Sequence, residues 1–333
     1  MPTKKMLTFN RSSIHYFILL ALSLLMTACK SSTHHETKSL TSKPTPLIFA
    51  HRASSGLWIQ NSRNAVNNTV ALFLDNKEKG DIRFHGIEVD IVLTKDNIPV
   101  LAHDPWVHKT LCRRKDDQVL QEVLIKNITF GALQNDYLCG GIRDSEFPKA
   151  ITAEESVMSL EELLIAIKKA PDLMLYLDLK LQPPLTASTH DYAMAVMNSI
   201  EQASIINPIF IEGPDTAAIQ YYRQYASQKI TTVLSYPPFF ANQNQWLTGA
   251  KAAIESFFYP ASALKKAEEA NADAIASPTQ VANNRVREEL QKKGKFLVVF
   301  TPNTKADMNK ACASGANIII TDFPNLGSCM QLD

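Results

Sequence analysis

Three absences bound the reading of this chain of 333 residues. The formal net charge is only +1, so there is no general basic field, which argues against nucleic acid as a partner and assigns any phosphate specificity to a local site. No GxGxxG turn follows the first apolar run, which removes the main signal for a dinucleotide fold. No apolar run is long enough to span a bilayer: Phe17 to Met26 is the longest near the start, and it is too short. What is there is 45% hydrophobic and 20% charged, the composition of one large globular domain or two small ones.

The short apolar run follows Lys4, Lys5 and Arg11 and ends at small residues before Cys29, the layout of a targeting segment. The tract LMTAC resembles the lipobox of bacterial lipoproteins. That resemblance implies a signal peptide over residues 1–28, a lipidated Cys29, and a bacterial cell-envelope location, lipid-anchored. By resemblance to enterobacterial lipoprotein sorting, Lys30 where Asp could stand after the cysteine implies the outer membrane, facing the periplasm or the surface. Residues 29–46, rich in Ser, Thr, Lys and His, read as a flexible tether. With Cys29 lipidated, the four other cysteines form an even set in an oxidising compartment, which suggests disulfides over zinc or a thiol nucleophile. Three connectivities are open. Cys112 with Cys139 and Cys312 with Cys329 is preferred, because each pair brackets a single irregular segment.

From residue 47 onward the pattern is one of strands alternating with helices. PLIFAHR, GIEVDIVLT and IPVLAHD read as the first three strands, the last two joined by the turn KDN. Asn61 and Ser62 are placed to cap a helix ending near Gly80, and Ser159 with Glu162 forms a capping box. About eight strands are counted in all, enough for a TIM (β/α)₈ barrel, an α/β fold; a doubly wound open sheet is the structural alternative. Residues 105–157 break the alternation and read as an insertion after the third strand segment, stapled by Cys112 and Cys139.

Chemistry-bearing residues cluster between Ile48 and Asp104. Glu88 and Asp90 are two apart, so on a strand both carboxylates share a face, and two like charges there require a cation. Arg52 alone could neutralise them, but one hard divalent ion suits an all-oxygen donor set, with Asp178 as a third carboxylate. Lys180, two residues on, can reach a phosphoryl oxygen. His51 and His103 end different strands and suit a pair of proton transfers, one from the attacking oxygen and one to the leaving alcohol.

HR, then ExD, then HD, in a strand context, resembles the glycerophosphodiester phosphodiesterase family; SLEELL before LDLK, and VVFTPN followed by GANIIITDFP, are similar to its later strands. The resemblance runs from Ile48 to about Gly327 and implies a TIM barrel with a small insertion, hydrolysing glycerophosphodiesters to glycerol 3-phosphate and an alcohol. It implies His51 and His103 as general acid and base, Arg52 and Lys180 as phosphate binders, and Glu88, Asp90 and Asp178 as metal ligands. Four positions depart from the pattern: Ala53 for Gly, Gln60 for Glu, Asp178 for Glu, and Phe300 for Trp, the last keeping an aromatic substrate wall. The shorter Asp178 favours Ca²⁺ over the stricter octahedron of Mg²⁺. Two other readings stay open. One is a catalytically weak barrel serving as a surface binding lipoprotein. The other is a lysophospholipase D-like enzyme, with the aromatic loop SYPPFFANQNQW meeting acyl chains.

Overall fold

The computed structural model describes residues 45–226, 229–236, 248–326 and 329, with backbone alone for 248–256. A leading unit, Met1–Ser42, lies outside the described residues. So do Cys29, the targeting segment and most of the aromatic loop. Among the described residues, no helix is long and apolar enough to cross a membrane.

Eight parallel strands close on themselves. They are β1 (Leu47–Ala50), β2 (Gly86–Leu93), β6 (Met174–Leu179), β7 (Ile209–Gly213), β8 (Thr231–Ser235), β9 (Ala274–Pro278), β10 (Phe296–Phe300) and β11 (Ile318–Thr321). The last strand returns to the first, with Leu47 opposite Ile318 and Ala50 opposite Thr321. This is the (β/α)₈ barrel that the alternation predicts. The segment IPVLAHD behaves differently: its strand β3 (Pro99–Leu101) pairs antiparallel with β2 and lies outside the ring. A turn as short as KDN can only reverse the chain, because a parallel return needs a crossover of a dozen residues or more. The third barrel strand is therefore β6, paired in parallel with β2.

Period-two alternation sorts each strand into two faces. Ile87, Val89, Ile91, Leu175, Leu177 and Leu179 face the surrounding helices and join the large outer core. Phe49, Tyr176, Phe210, Val233, Val298, Ile318 and Ile320 fill the barrel interior. Three aromatic rings meet there, Phe49 with Tyr176 at 5.8 Å, Phe49 with Phe210 at 5.4 Å and Tyr176 with Phe210 at 6.0 Å. Gly86 is required by this plug, since a Cβ there would collide with the Phe49 ring. The interior is thus a packed floor, and polar side chains project only above it, at the carboxyl ends of the strands.

Helix α1 (Arg63–Glu78) begins where Ser62 Oγ accepts the Ala65 amide at 3.0 Å. Helix α3 (Leu160–Ile167) carries the full Ser159–Glu162 capping box. Between β3 and α3 lies an irregular excursion with its own hairpin, β4 (Cys112–Arg114) against β5 (Tyr137–Cys139), and a short helix α2 (Phe130–Asp136). Val107, Ile125, Leu133 and Tyr137 give it a small separate core on Val92 and Val100. Both preferred disulfides are formed, Cys112–Cys139 and Cys312–Cys329.

Candidate active site

The polar residues at the barrel mouth continue the inward rows of the strands that carry them. On β2 the row is Glu88 then Asp90; across the sheet Asp90 lies in register with Asp178, and Asp178 with Glu212. Ligand oxygens of Glu88, Asp90 and Asp178 all lie within 4.8 Å of one another, with Glu88 and Asp90 buried and Asp178 half-buried. Burial, reinforced by the charges of Asp90 and Asp178, raises the Glu88 carboxyl well above its ordinary range. Burial would raise Asp90 as well, but the Lys180 ammonium and the Arg52 guanidinium outweigh it and hold that carboxyl low.

Those two cations are bound into the cluster. Lys180 Nζ lies 2.8 Å from Asp90 Oδ1 and also meets Asp178 Oδ2. Burial would lower its pKa, but Asp178 and Asp90 raise it above the ordinary lysine value. Arg52 follows β1 in a tight turn. Its backbone amide donates to Glu88 Oε2 at 2.7 Å, its Nη1 donates to Gln60 Oε1 at 2.6 Å, and its Nε lies 3.3 Å from Asp90 Oδ2. Gln60 therefore keeps the hydrogen bond that a glutamate would make and drops the charge, which leaves the guanidinium less neutralised. The turn is left-handed at Arg52, Ala53 and Ser54, with φ of 46°, 60° and 68°. Ala53 is held in a region that L-residues enter at a cost of roughly 1–2 kcal/mol.

His51 and His103 present the same face by different means. His51 Nδ1 lies 2.6 Å from Asp322 Oδ1, and its Nε2 is directed toward the cluster, 3.9 Å from Glu88 Oε2. His103 sits on the loop after β3, with Nδ1 3.0 Å from Asp104 Oδ1. The Asp104 carboxyl is held below its ordinary value, first by the hydrogen bond from His103. An ionised carboxylate only accepts, so each ring carries its proton on Nδ1 and leaves Nε2 free to exchange one. Phe300 ends the inward row of β10 and packs, partly buried, on the interior cluster.

The geometry adds residues to the site that the sequence did not place there, among them Asn61, a cap candidate by sequence, whereas Ser62 alone caps the helix. Asn61 and Asp90 bond twice, Asn61 Nδ2 to Asp90 Oδ2 at 2.7 Å and the Asp90 amide to Asn61 Oδ1 at 3.1 Å. Tyr176 donates to Glu212 Oε2 at 2.6 Å, and burial together with Asp178 pushes the Glu212 carboxyl up to about 7. Asp322, with Ser55 and Asn303 around it, anchors His51. A signal for two of these was present: extending the period-two rows gives Phe210 then Glu212, and Ile318, Ile320 then Asp322. Beside His103, a cavity of about 70 Å³ opens under the insertion, walled by Ile59, Leu101, Trp106, Val107 and Leu133 with Gln60 at its edge.

Strand ends that gather paired imidazoles and a carboxylate cluster around two bound cations define a (β/α)₈-barrel enzyme suited to acid–base chemistry on an anionic substrate. Comparison with known proteins narrows the class. The model of the glycerophosphoryl diester phosphodiesterase family matches residues 51–326, and the chain belongs to that family. A protein of Silicibacter pomeroyi assigned to the same class superposes with a TM-score of 0.68 at 18% identity, over 85% of this chain and 92% of that one. An Oleispira antarctica phosphodiesterase, solved with the product sn-glycerol-3-phosphate, gives 0.63 at 17% identity over 86% and 96%. A glycerophosphodiester phosphodiesterase of Agrobacterium tumefaciens gives 0.56 at 15% over 85% and 98%. A search of curated proteins found no match.

Proposed function

We propose that the chain hydrolyses glycerophosphodiesters to glycerol 3-phosphate and an alcohol, with His51 and His103 as the general acid–base pair. The observation that carries this reading is the joint placement of two Nδ1-anchored imidazoles and three carboxylates within 4.8 Å of one another at the barrel mouth. Arg52 and Lys180 are the phosphate binders. One ring, neutral, takes the proton from the attacking oxygen on its bare Nε2; the other enters as an imidazolium, protonated at both nitrogens, and gives its Nε2 proton to the departing alcohol, so neither alkoxide nor hydroxide forms free. Such transfers supply roughly 10² to 10⁴-fold each.

The donor set fits a divalent cation: the three candidate ligands are hard oxygens, crowded enough that Glu88 resists ionisation without added positive charge. Glu88, Asp90 and Asp178 would hold it, and it would offset the charge that builds on the phosphoryl oxygens. Ca²⁺ is preferred over Mg²⁺, because the short Asp178 suits flexible coordination. The two disulfides suit an oxidising compartment and support the envelope lipoprotein reading, with Cys29 as the lipidated residue and the outer membrane as its site.

Release of glycerol 3-phosphate from glycerophosphocholine by the mature chain, lost with chelator and restored by Ca²⁺, is the expected result. No release with any divalent metal would overturn the enzymatic reading in favour of a binding protein. Release from lysophospholipids alone would move the substrate to membrane lipid. Labelled palmitate should enter the full-length chain and be lost in Cys29→Ser; labelling that persists would overturn the anchor.

A further inference from the structure

A dense polar network at the mouth is centred on Asp322, which lies outside the carboxylate cluster and meets the site through His51. It follows β11, and its side chain is 4% exposed. Three side chains converge on the carboxylate. His51 Nδ1 and Ser55 Oγ both meet Oδ1, and Asn303 Nδ2 donates to Oδ2. The Asp322 backbone is fixed as well, its amide donating to Asn303 Oδ1 at 3.1 Å and its carbonyl accepting the Gly56 amide at 3.1 Å. Thr321 Oγ1 lies within reach of both the Pro302 carbonyl, at 2.8 Å, and Asn303 Oδ1, at 3.3 Å, and can give its one proton to either. Three segments thus meet at Asp322: the turn after β1 with His51, Ser55 and Gly56, the loop after β10, and the end of β11.

This network does more than fill space. Burial alone would raise the Asp322 carboxyl, but the hydrogen bond and charge of His51, with Ser55 and Asn303, hold it below its ordinary range. Ser55 shares Oδ1 with His51 and Asn303 holds Oδ2, so the carboxylate is fixed with an Oδ1 lone pair toward His51. An acceptor fixed there leaves the ring a single arrangement, proton on Nδ1 and lone pair on Nε2, with Nε2 turned into the mouth.

We propose that Asp322, buttressed by Ser55 and Asn303, is the positioning residue of the reaction: it sets the tautomer and the aim of His51. This rests on the acid–base role proposed for His51, and the decisive measurement is independent of turnover. In the full chain labelled with ¹⁵N-histidine, with His51→Gln to identify the signals, His51 should show a protonated Nδ1 and a bare Nε2. In Asp322→Asn both tautomers should be populated, because an amide can accept or donate. The same variant should lose roughly 10²-fold in kcat with KM within about threefold, the range for removing a group that orients a functional imidazole. Ser55→Ala and Asn303→Ala should each lose less, roughly three- to tenfold, by loosening the carboxylate.

An unchanged His51 tautomer in Asp322→Asn overturns the proposal whether or not the enzyme turns over. So does wild-type kcat in that variant while His51→Ala is inactive. If Asp322→Asn fails to fold, Ser55→Ala, which leaves the carboxylate in place, carries the test: unaltered ¹⁵N shifts and kcat there count against the network. If the wild-type chain hydrolyses no glycerophosphodiester, the functional reading fails, and the tautomer measurement still decides whether Asp322 orients the ring.

Discussion

His51 and His103 both give an Nδ1 proton to an aspartate, yet the first contact joins residues 271 apart and the second joins chain neighbours. The His51 side chain is 18% exposed and its aspartate 4%, against 36% and 33% for His103 and Asp104. Asp322 is gripped by two further side chains, whereas Asp104 has only its histidine among the side-chain hydrogen bonds of the described residues. One station is built by barrel closure, and the other by a dipeptide on a loop beside the insertion. The first station depends on residues that follow the first and last barrel strands, and the second on one local contact. The difference teaches that equal chemistry does not imply equal dependence on the fold.

The comparison is broken most directly at the rings themselves. His51→Ala and His103→Ala should each cost roughly 10² to 10⁴-fold in kcat, read as glycerol 3-phosphate release. A loss confined to one variant would make the other ring a structural residue. Next in size is the staple of the insertion: Cys112→Ser with Cys139→Ser opens a bond spanning 27 residues. The chain-entropy model puts its loss at roughly 3 to 4 kcal/mol, measured by denaturant titration. Its effect should reach the His103 resonances and leave those of His51 in place; the reverse pattern would refute the division into two stations.

Asp104→Asn tests the weaker anchor. It should cost roughly tenfold or less in kcat, below the Asp322→Asn loss, because a half-exposed ring has water as an alternative partner. A larger loss than at Asp322 would invert the comparison. A smaller effect appears as pH dependence of stability. The folded Asp322 carboxyl titrates below its unfolded value of about 3.9. Its contribution is therefore complete above pH of about 4 and is lost as pH falls through the folded value. The stability gap between wild type and Asp322→Asn, from urea titrations at pH 6 and pH 3, should narrow at the lower pH; a gap that widens would show the sign to be wrong. Smallest is Ala53→Gly beside His51. Releasing the left-handed strain offsets the added freedom of the unfolded chain, for a net gain of up to about 1 kcal/mol, read as a higher unfolding midpoint.

Much of this was legible in the residues. Strand and helix alternation called for the barrel, and the spacing of Glu88 and Asp90 put both carboxylates on the inner face. His103 and Asp104 are adjacent, so local sequence exposed that station in full. IPVLAHD was misleading because a short antiparallel appendage carries the same apolar signature as a buried barrel strand, and only the three-residue turn distinguished them. Asp322 was hidden for a different reason: an aspartate after an apolar run is an ordinary strand ending, and its meaning comes from lying beside β1, which no local pattern records. Asn61 and Asn303 were hidden likewise, since amides become informative only once their partners are known.

The pairing of β1 with β11 carries a consequence in time. A nascent chain holds His51 from early in synthesis, but the residue that aims it is made 271 positions later, on the strand that completes the ring. Fragments ending before β11 contain both imidazoles and all three carboxylates and still lack an aimed His51. On the positioning role proposed for Asp322, full turnover would double as a report that the last strand has docked.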